Sequence, residues 1–182
     1  MRFLFLSMLA AVALLANASP SSATPLPATT HPDTAVLDDS TWTIARLLVA
    51  NGAPDDKALP VAAAIMKYSR LRDLDPLLIV GIIGVENAEL NHNARSTHGA
   101  TGVMQVMPRW KRDIRGCGDD LRDVDVNVCF GTRILRMALD STGSIRKALL
   151  RYNGCRREAA CKYPSAVFSR AGRAVLLARA SQ

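Results

Sequence analysis

Asp75-Pro76-Leu77-Leu78-Ile79-Val80-Gly81-Ile82-Ile83-Gly84-Val85-Glu86 is the stretch on which the fold turns. Asp75 suits a helix N-cap, and Pro76 suits the first helical position, where its missing N–H has no helical partner to lose. The apolar run Leu77 to Val85 then predicts a helix with a buried face. Glu86 follows Ile79, Ile82 and Ile83 by one to two turns and precedes Leu90 by one, so it shares that face. Burial disfavours a carboxylate. It raises the pKa and keeps a proton available near neutral pH, as a general acid requires. Position alone does not establish that role, because a Glu at a helix end commonly reaches solvent or pairs with a base.

Helical patterning continues on both sides. Ser40 or Thr41 is expected to cap a helix through about Val49, closed by Asn51-Gly52. A second apolar-periodic run covers Leu59 to Ser69, with Pro60 expected in its first turn. Asp125 to Leu139, Ser144 to Tyr152 and Pro164 to Ala180 repeat the pattern. Strand signals are scarce, and Asn91 to Gly102, rich in Asn, Ser, Thr and Gly, predicts a loop or a small irregular hairpin. The expected fold is mainly α.

The amino terminus has a different character. Arg2, the apolar run Phe3 to Ala16 broken only by Ser7, and Ala16-Asn17-Ala18 predict a secretory signal peptide over 1–18, with Ser21-Ser22-Ala23 as a second plausible cleavage site. The run is shorter than the ~20 residues of a spanning helix. Residues 19–33, mostly Ser, Thr, Pro and Ala, read as a flexible leader, and 34–182 has the length of one domain. The expected product is periplasmic or secreted, with no membrane span after cleavage. The full chain's net charge of +7 favours anionic partners, but nucleic acid, lipid headgroups and wall polymers satisfy charge equally. The basic residues are scattered, as on an ordinary solvated surface, and no nucleic-acid motif is present.

Cys117, Cys129, Cys155 and Cys161 make an even set in a chain expected to be exported, which suggests disulfides. Four cysteines allow three pairings. Cys117 with Cys129 and Cys155 with Cys161 is favoured because each closes a short loop. A zinc site competes, but neither spacing is Cys-x-x-Cys and no histidine lies near, so no metal is expected.

Beyond Glu86-Asn87 come Asn93-Ala94-Arg95-Ser96, Gly99-Ala100-Thr101-Gly102-Val103-Met104-Gln105-Val106-Met107-Pro108, Asn127-Val128-Cys129-Phe130-Gly131 and Arg151-Tyr152-Asn153-Gly154. This order resembles the soluble lytic transglycosylase family. Its pattern is Glu-Ser, Ala-x-Ser, Gly-Ala-x-Gly-Leu-Met-Gln-x-Met-Pro, a helix with Asn-x-x-x-Gly, and Tyr-Asn. The resemblance spans roughly Asp75 to Val167. It implies a goose-type, lysozyme-like single globular domain with an irregular hairpin region beside a cleft. It also implies that Glu86 is the acid and base, that Ser96 and Gln105 line sugar subsites, and that Met107 and Tyr152 surround the carboxylate, with Asn153 completing the Tyr-Asn pair. The implied reaction cleaves peptidoglycan between N-acetylmuramic acid and N-acetylglucosamine, leaving 1,6-anhydromuramoyl ends without a cofactor. Peptidoglycan strands are the implied partner. Small transglycosylases of this kind remodel the wall or open it for secretion or conjugation machinery, which would be a second partner.

Two departures stand out. Asn87 replaces the Ser that follows the acid, and the spacer to Gly99 is one residue longer than the family's, which fits an insertion near Glu89-Leu90. Glu89 is the rival acid, but it does not follow the apolar run and leaves the spacer too short. One of Met104 and Met107 is expected to be core filler, Asn153-Gly154 also suits a helix end, and His92 and His98 are expected on the loop surface. Competing functions are a lysozyme-like hydrolase using the same acid and a non-catalytic wall-binding module.

Overall fold

The computed structural model describes residues 38–155 and 158–180. The expected signal peptide and leader lie outside the described residues. Seven α-helices form the described structure: α1 Asp39–Ala50, α2 Asp55–Arg72, α3 Pro76–Glu86, α4 Trp110–Asp113, α5 Val124–Thr142, α6 Ile145–Asn153 and α7 Tyr163–Ala180. A single 3-10 turn, Glu158–Ala160, precedes α7. The described residues contain no sheet; the hairpin expected before Gly102 is reduced to isolated bridges joining Arg95 to Thr101 and Thr101 to Val106.

The Asp75 carboxylate accepts from the Leu77 N–H at 2.8 Å, and α3 begins at Pro76 as the sequence predicts. Every residue from Leu78 to Gly84 is buried, so α3 has no solvated face and sits inside the bundle. The helices α1, α2 and α7 pack around it, and α5 joins through α2 and α6. Gly81 sets how near α7 comes: a Cβ there would lie 2.5 Å from the Val167 carbonyl oxygen. That approach brings Tyr163, one turn before Val167, to the end of α3.

Local chemistry moves several boundaries. Asp38, not Ser40 or Thr41, caps α1, accepting from the Thr41 N–H at 2.9 Å, because an ionised carboxylate is the stronger acceptor at the positive end of a helix. Asp55 and Asp56 supply the same electrostatic benefit to α2, which starts four residues earlier than its apolar run. Pro60 therefore lies inside the helix, not in its first turn. Asp123 caps α5. Tyr68 of α2 donates to Asp125 of α5 at 2.6 Å, tying the two helices.

The long connection between α3 and α5 gains its order from Asn127, which is 1% exposed. Its Oδ1 accepts from the Met104 N–H at 2.8 Å, and its Nδ2 donates to the carbonyls of Thr101 and Leu121 at 2.9 and 2.7 Å. One turn later, Gly131 makes room for Met104: a Cβ there would lie 2.4 Å from its sulfur. The Asn-x-x-x-Gly spacing thus places one amide and one gap on the same face of α5 to hold residues 101–104. Both expected disulfides are formed, Cys117–Cys129 anchoring this connection to α5 and Cys155–Cys161 closing the loop between α6 and α7.

Replacing Asn127 by Ala strips three backbone groups, two of them buried, of their partner. We expect a loss of about 2–4 kcal/mol, read as a lower urea midpoint with an unchanged slope. A loss below about 0.5 kcal/mol would contradict this role for the amide.

Candidate active site

Glu86 ends α3 in a cavity of about 330 Å³. Ser96, Gln105, Met107, Tyr152 and Asn153 line the same cavity, so the structure brings all six sequence-predicted site residues together. Larger grooves open elsewhere on the surface, among them two of about 850 and 710 Å³. Size does not select the site; its chemistry does. The larger groove holds only exposed aspartates among several arginines, whereas the Glu86 carboxyl is largely withdrawn from water. Glu89, the rival acid, is exposed and outside the cavity lining.

Burial pushes the Glu86 pKa above the ordinary carboxyl range, and a hydrogen bond from Tyr163 opposes the shift. The Tyr163 hydroxyl donates to Glu86 Oε1 at 2.6 Å. No cation is among the groups that set the acid's pKa. The negative end of the α3 dipole also disfavours a carboxylate at this position. Among the described residues Oε2 has no hydrogen-bond partner, which leaves it for a proton or a substrate atom. Tyr163 is 8% exposed, and burial, together with the nearby Tyr152 and Glu86, raises its pKa, so it remains a neutral donor.

Tyr152 closes another side. Its hydroxyl donates to the Met104 carbonyl at 2.9 Å, so it is engaged with backbone, and burial followed by the Glu86 charge raises its pKa well above the usual phenol value. Met104 is fully buried, whereas Met107 reaches the cavity, which divides the two methionines between core and cleft. Gln105 has a left-handed backbone, φ 48°, and its side-chain amide donates to the Gly102 carbonyl at 2.9 Å. Such a conformation costs a residue with a Cβ about 1 kcal/mol or more and here turns the chain so that Gln105 lines the cleft between two core residues, Met104 and Val106. Ser96 Oγ accepts from the Ala100 N–H at 3.0 Å, fixing the turn on the opposite wall. Asn153 is the last residue of α6, and Gly154, φ 78°, caps it, so the pair both ends the helix and borders the cavity.

The two departures noted in the sequence meet in one place. Asn87 follows the acid and turns its side chain into the lengthened spacer: Nδ2 donates to the Asn91 carbonyl at 2.8 Å, and Oδ1 accepts from the Asn91 N–H at 3.1 Å. A longer contact of 3.3 Å reaches the Gly102 carbonyl. Leu90, with φ 52° and 1% exposure, plugs the turn into the core. A serine hydroxyl is too short to bridge both backbone groups of Asn91 while also approaching Gly102.

Residues 63–163 match the family model described as the transglycosylase SLT domain, more than half of the chain. The chain belongs to the transglycosylase SLT domain family. A transglycosylase of Enterobacteria phage PRD1 is 33% identical over 94 residues, which cover 52% of this chain and 33% of that protein. The chain thus spans about a third of the curated relative it matches. The SLT domain is lysozyme-like.

Within the SLT domain, the sequence reading missed Tyr163, the final matched residue. Its partner is 77 positions away, and no local pattern marks the contact. The one usable signal was Cys155 with Cys161: a bridge there holds the chain following Tyr152-Asn153 close to the chain leading into Tyr163. Arg109 and Trp110 also line the cavity and were not singled out, although they directly follow Met107-Pro108. His98 is exposed, as expected, yet borders the cavity.

The shift at Glu86 has a consequence for stability. A carboxyl whose folded pKa lies above its unfolded value destabilises the fold once ionised, and that cost is absent at low pH. Glu86→Gln is therefore expected to melt higher than the parent at about pH 8, by about 2–4 °C for each kcal/mol removed, with the gain shrinking toward about pH 4. A gain independent of pH would contradict the buried-acid assignment.

Proposed function

We propose that the protein is an exported peptidoglycan lytic transglycosylase with Glu86 as its catalytic acid and base. The observation that carries the proposal is that, among the described residues, Glu86 is the sole carboxylate lining the cavity. Glycosidases that hydrolyse by the two-carboxylate route set a pair about 5–9.5 Å apart across the bond, and among the described residues no second acid lines this cavity. A single acid with a raised pKa suits a reaction in which the substrate supplies the nucleophile.

In the first step Glu86 gives its proton to the oxygen joining C1 of N-acetylmuramic acid to C4 of N-acetylglucosamine. The C1–O bond breaks, and the 2-acetamido oxygen of the muramoyl unit stabilises the positive charge at C1. The ionised Glu86 then takes the proton of the muramoyl C6 hydroxyl as that oxygen bonds to C1. Glu86 ends protonated, no water is consumed, and the product is a 1,6-anhydromuramoyl end. Tyr163 steadies Oε1 while Oε2 handles the proton. Ser96, Gln105, Met107 and Asn153 line the sugar subsites, and Tyr152 braces the hairpin beside them. The amino-terminal residues support export to the periplasm or beyond, where the substrate lies; a secretion or conjugation apparatus is the partner that a small wall-opening enzyme would serve.

Mass spectrometry of fragments released from purified peptidoglycan tests the proposal. The mature protein is expected to release anhydro-ended fragments, and Glu86→Gln to slow their release by about 10²–10⁴-fold. Reducing ends in their place would make the protein a hydrolase, and binding without release by the parent protein would make it a wall-binding module.

A further inference from the structure

The cavity around Glu86 extends onto a surface that neither the proton transfers nor the sugar contacts use. Arg109 and Trp110 line it immediately beyond Met107. The backbone fixes the pair to the cleft wall: the Trp110 N–H donates to the Met107 carbonyl at 3.1 Å, and that of Lys111 to the Pro108 carbonyl at 3.1 Å. Trp110 is half-buried, packed on the core by one part of its ring and open to the cavity by the rest. Arg109 is exposed, with its guanidinium 5.8 Å from the centre of the Trp110 ring. None of the ion pairs among the described residues includes Arg109, and it does not contribute to the shift at Glu86. A guanidinium held over an indole at the edge of the cavity, in no ion pair among the described residues, is placed to receive an anion from the ligand.

This inference rests on the reading of the site as a peptidoglycan cleft. In such a strand the sugar hydroxyls and acetamido groups are uncharged; the anionic groups are the carboxylates of the peptide stem carried on the lactyl group of each muramoyl unit. We propose that Arg109 and Trp110 form a subsite for the stem-bearing muramoyl unit, with Trp110 presenting its face to the apolar side of a pyranose and Arg109 pairing with a stem carboxylate. The subsite makes the protein selective for strands that still carry peptides.

Binding measured in the Glu86→Gln protein separates recognition from turnover. The probes are glycan strands with intact stems and the same strands stripped by an amidase, with the lactyl carboxyl that the cut exposes on each muramoyl unit blocked as its methylamide so that no anion remains. Glu86→Gln is expected to bind the stem-bearing strands roughly three- to tenfold more tightly at low salt, the range of one accessible charge-assisted contact. Adding Arg109→Met should bring that ratio to about one, and Arg109→Lys should restore part of it, because the charge returns without the planar fork. Trp110→Ala should weaken binding to both strands while keeping the preference. A ratio near one in Glu86→Gln, no binding to either strand, or a preference that survives Arg109→Met overturns the proposal. Parallel turnover by the parent protein keeps the two readings distinct: failure to cut either strand refutes the enzymatic assignment, and the binding ratio still decides the subsite.

Discussion

A carboxyl group carried out of water on the end of an apolar helix is the constraint around which the rest of this molecule is arranged. From Leu78 to Gly84 the helix α3 has no face that water can reach, so it must be enclosed, and α1, α2 and α7 enclose it. The same enclosure desolvates Glu86, where the helix ends. Fold and acidity therefore have one physical cause. Tyr152 and Tyr163, two neutral phenols, flank the acid where a basic residue would have held it ionised.

The walls of the cleft are held by polar groups whose backbone partners are distant in sequence. Asn127 fixes the backbone at residues 101 and 104, Gly131 admits Met104, and the Met104 carbonyl in turn receives Tyr152. A change at Asn127 is transmitted to the tyrosine beside the acid through this chain of contacts. Asn87 performs a comparable task on the lengthened spacer. The substitution of Ser by Asn and the extra residue are thus two parts of one local solution, in which the larger side chain spans the larger turn.

The main helices were legible from the sequence because apolar periodicity reports burial, and burial decides which segments can be helices in a chain this size. Asp75-Pro76 marked the start of α3 to the residue. Boundaries controlled by charge were less visible: Asp38 and the Asp55-Asp56 pair act on helix termini and not on the apolar pattern, so α1 and α2 begin earlier than that pattern suggests. The four residues of α4 are too short to have a period. Among cleft residues, those within quoted motifs were readable by position, whereas Tyr163 acts through a contact that exists only after α7 has packed on α3 at Gly81. Arg109 and Trp110 gain their significance from the cavity they border and not from their spacing.

The chemistry proposed for this cleft depends on the acidity of one group. Carbon-13 detected titration of the Glu86 side-chain carboxyl, in the parent protein and in Tyr163→Phe, measures it directly. The account predicts a pKa above the usual glutamate value of about 4.3 in the parent and a still higher one in Tyr163→Phe, since the lost hydrogen bond favours the ionised form. A pKa at or below that usual value in the parent, or a fall on removing the Tyr163 hydroxyl, would contradict it.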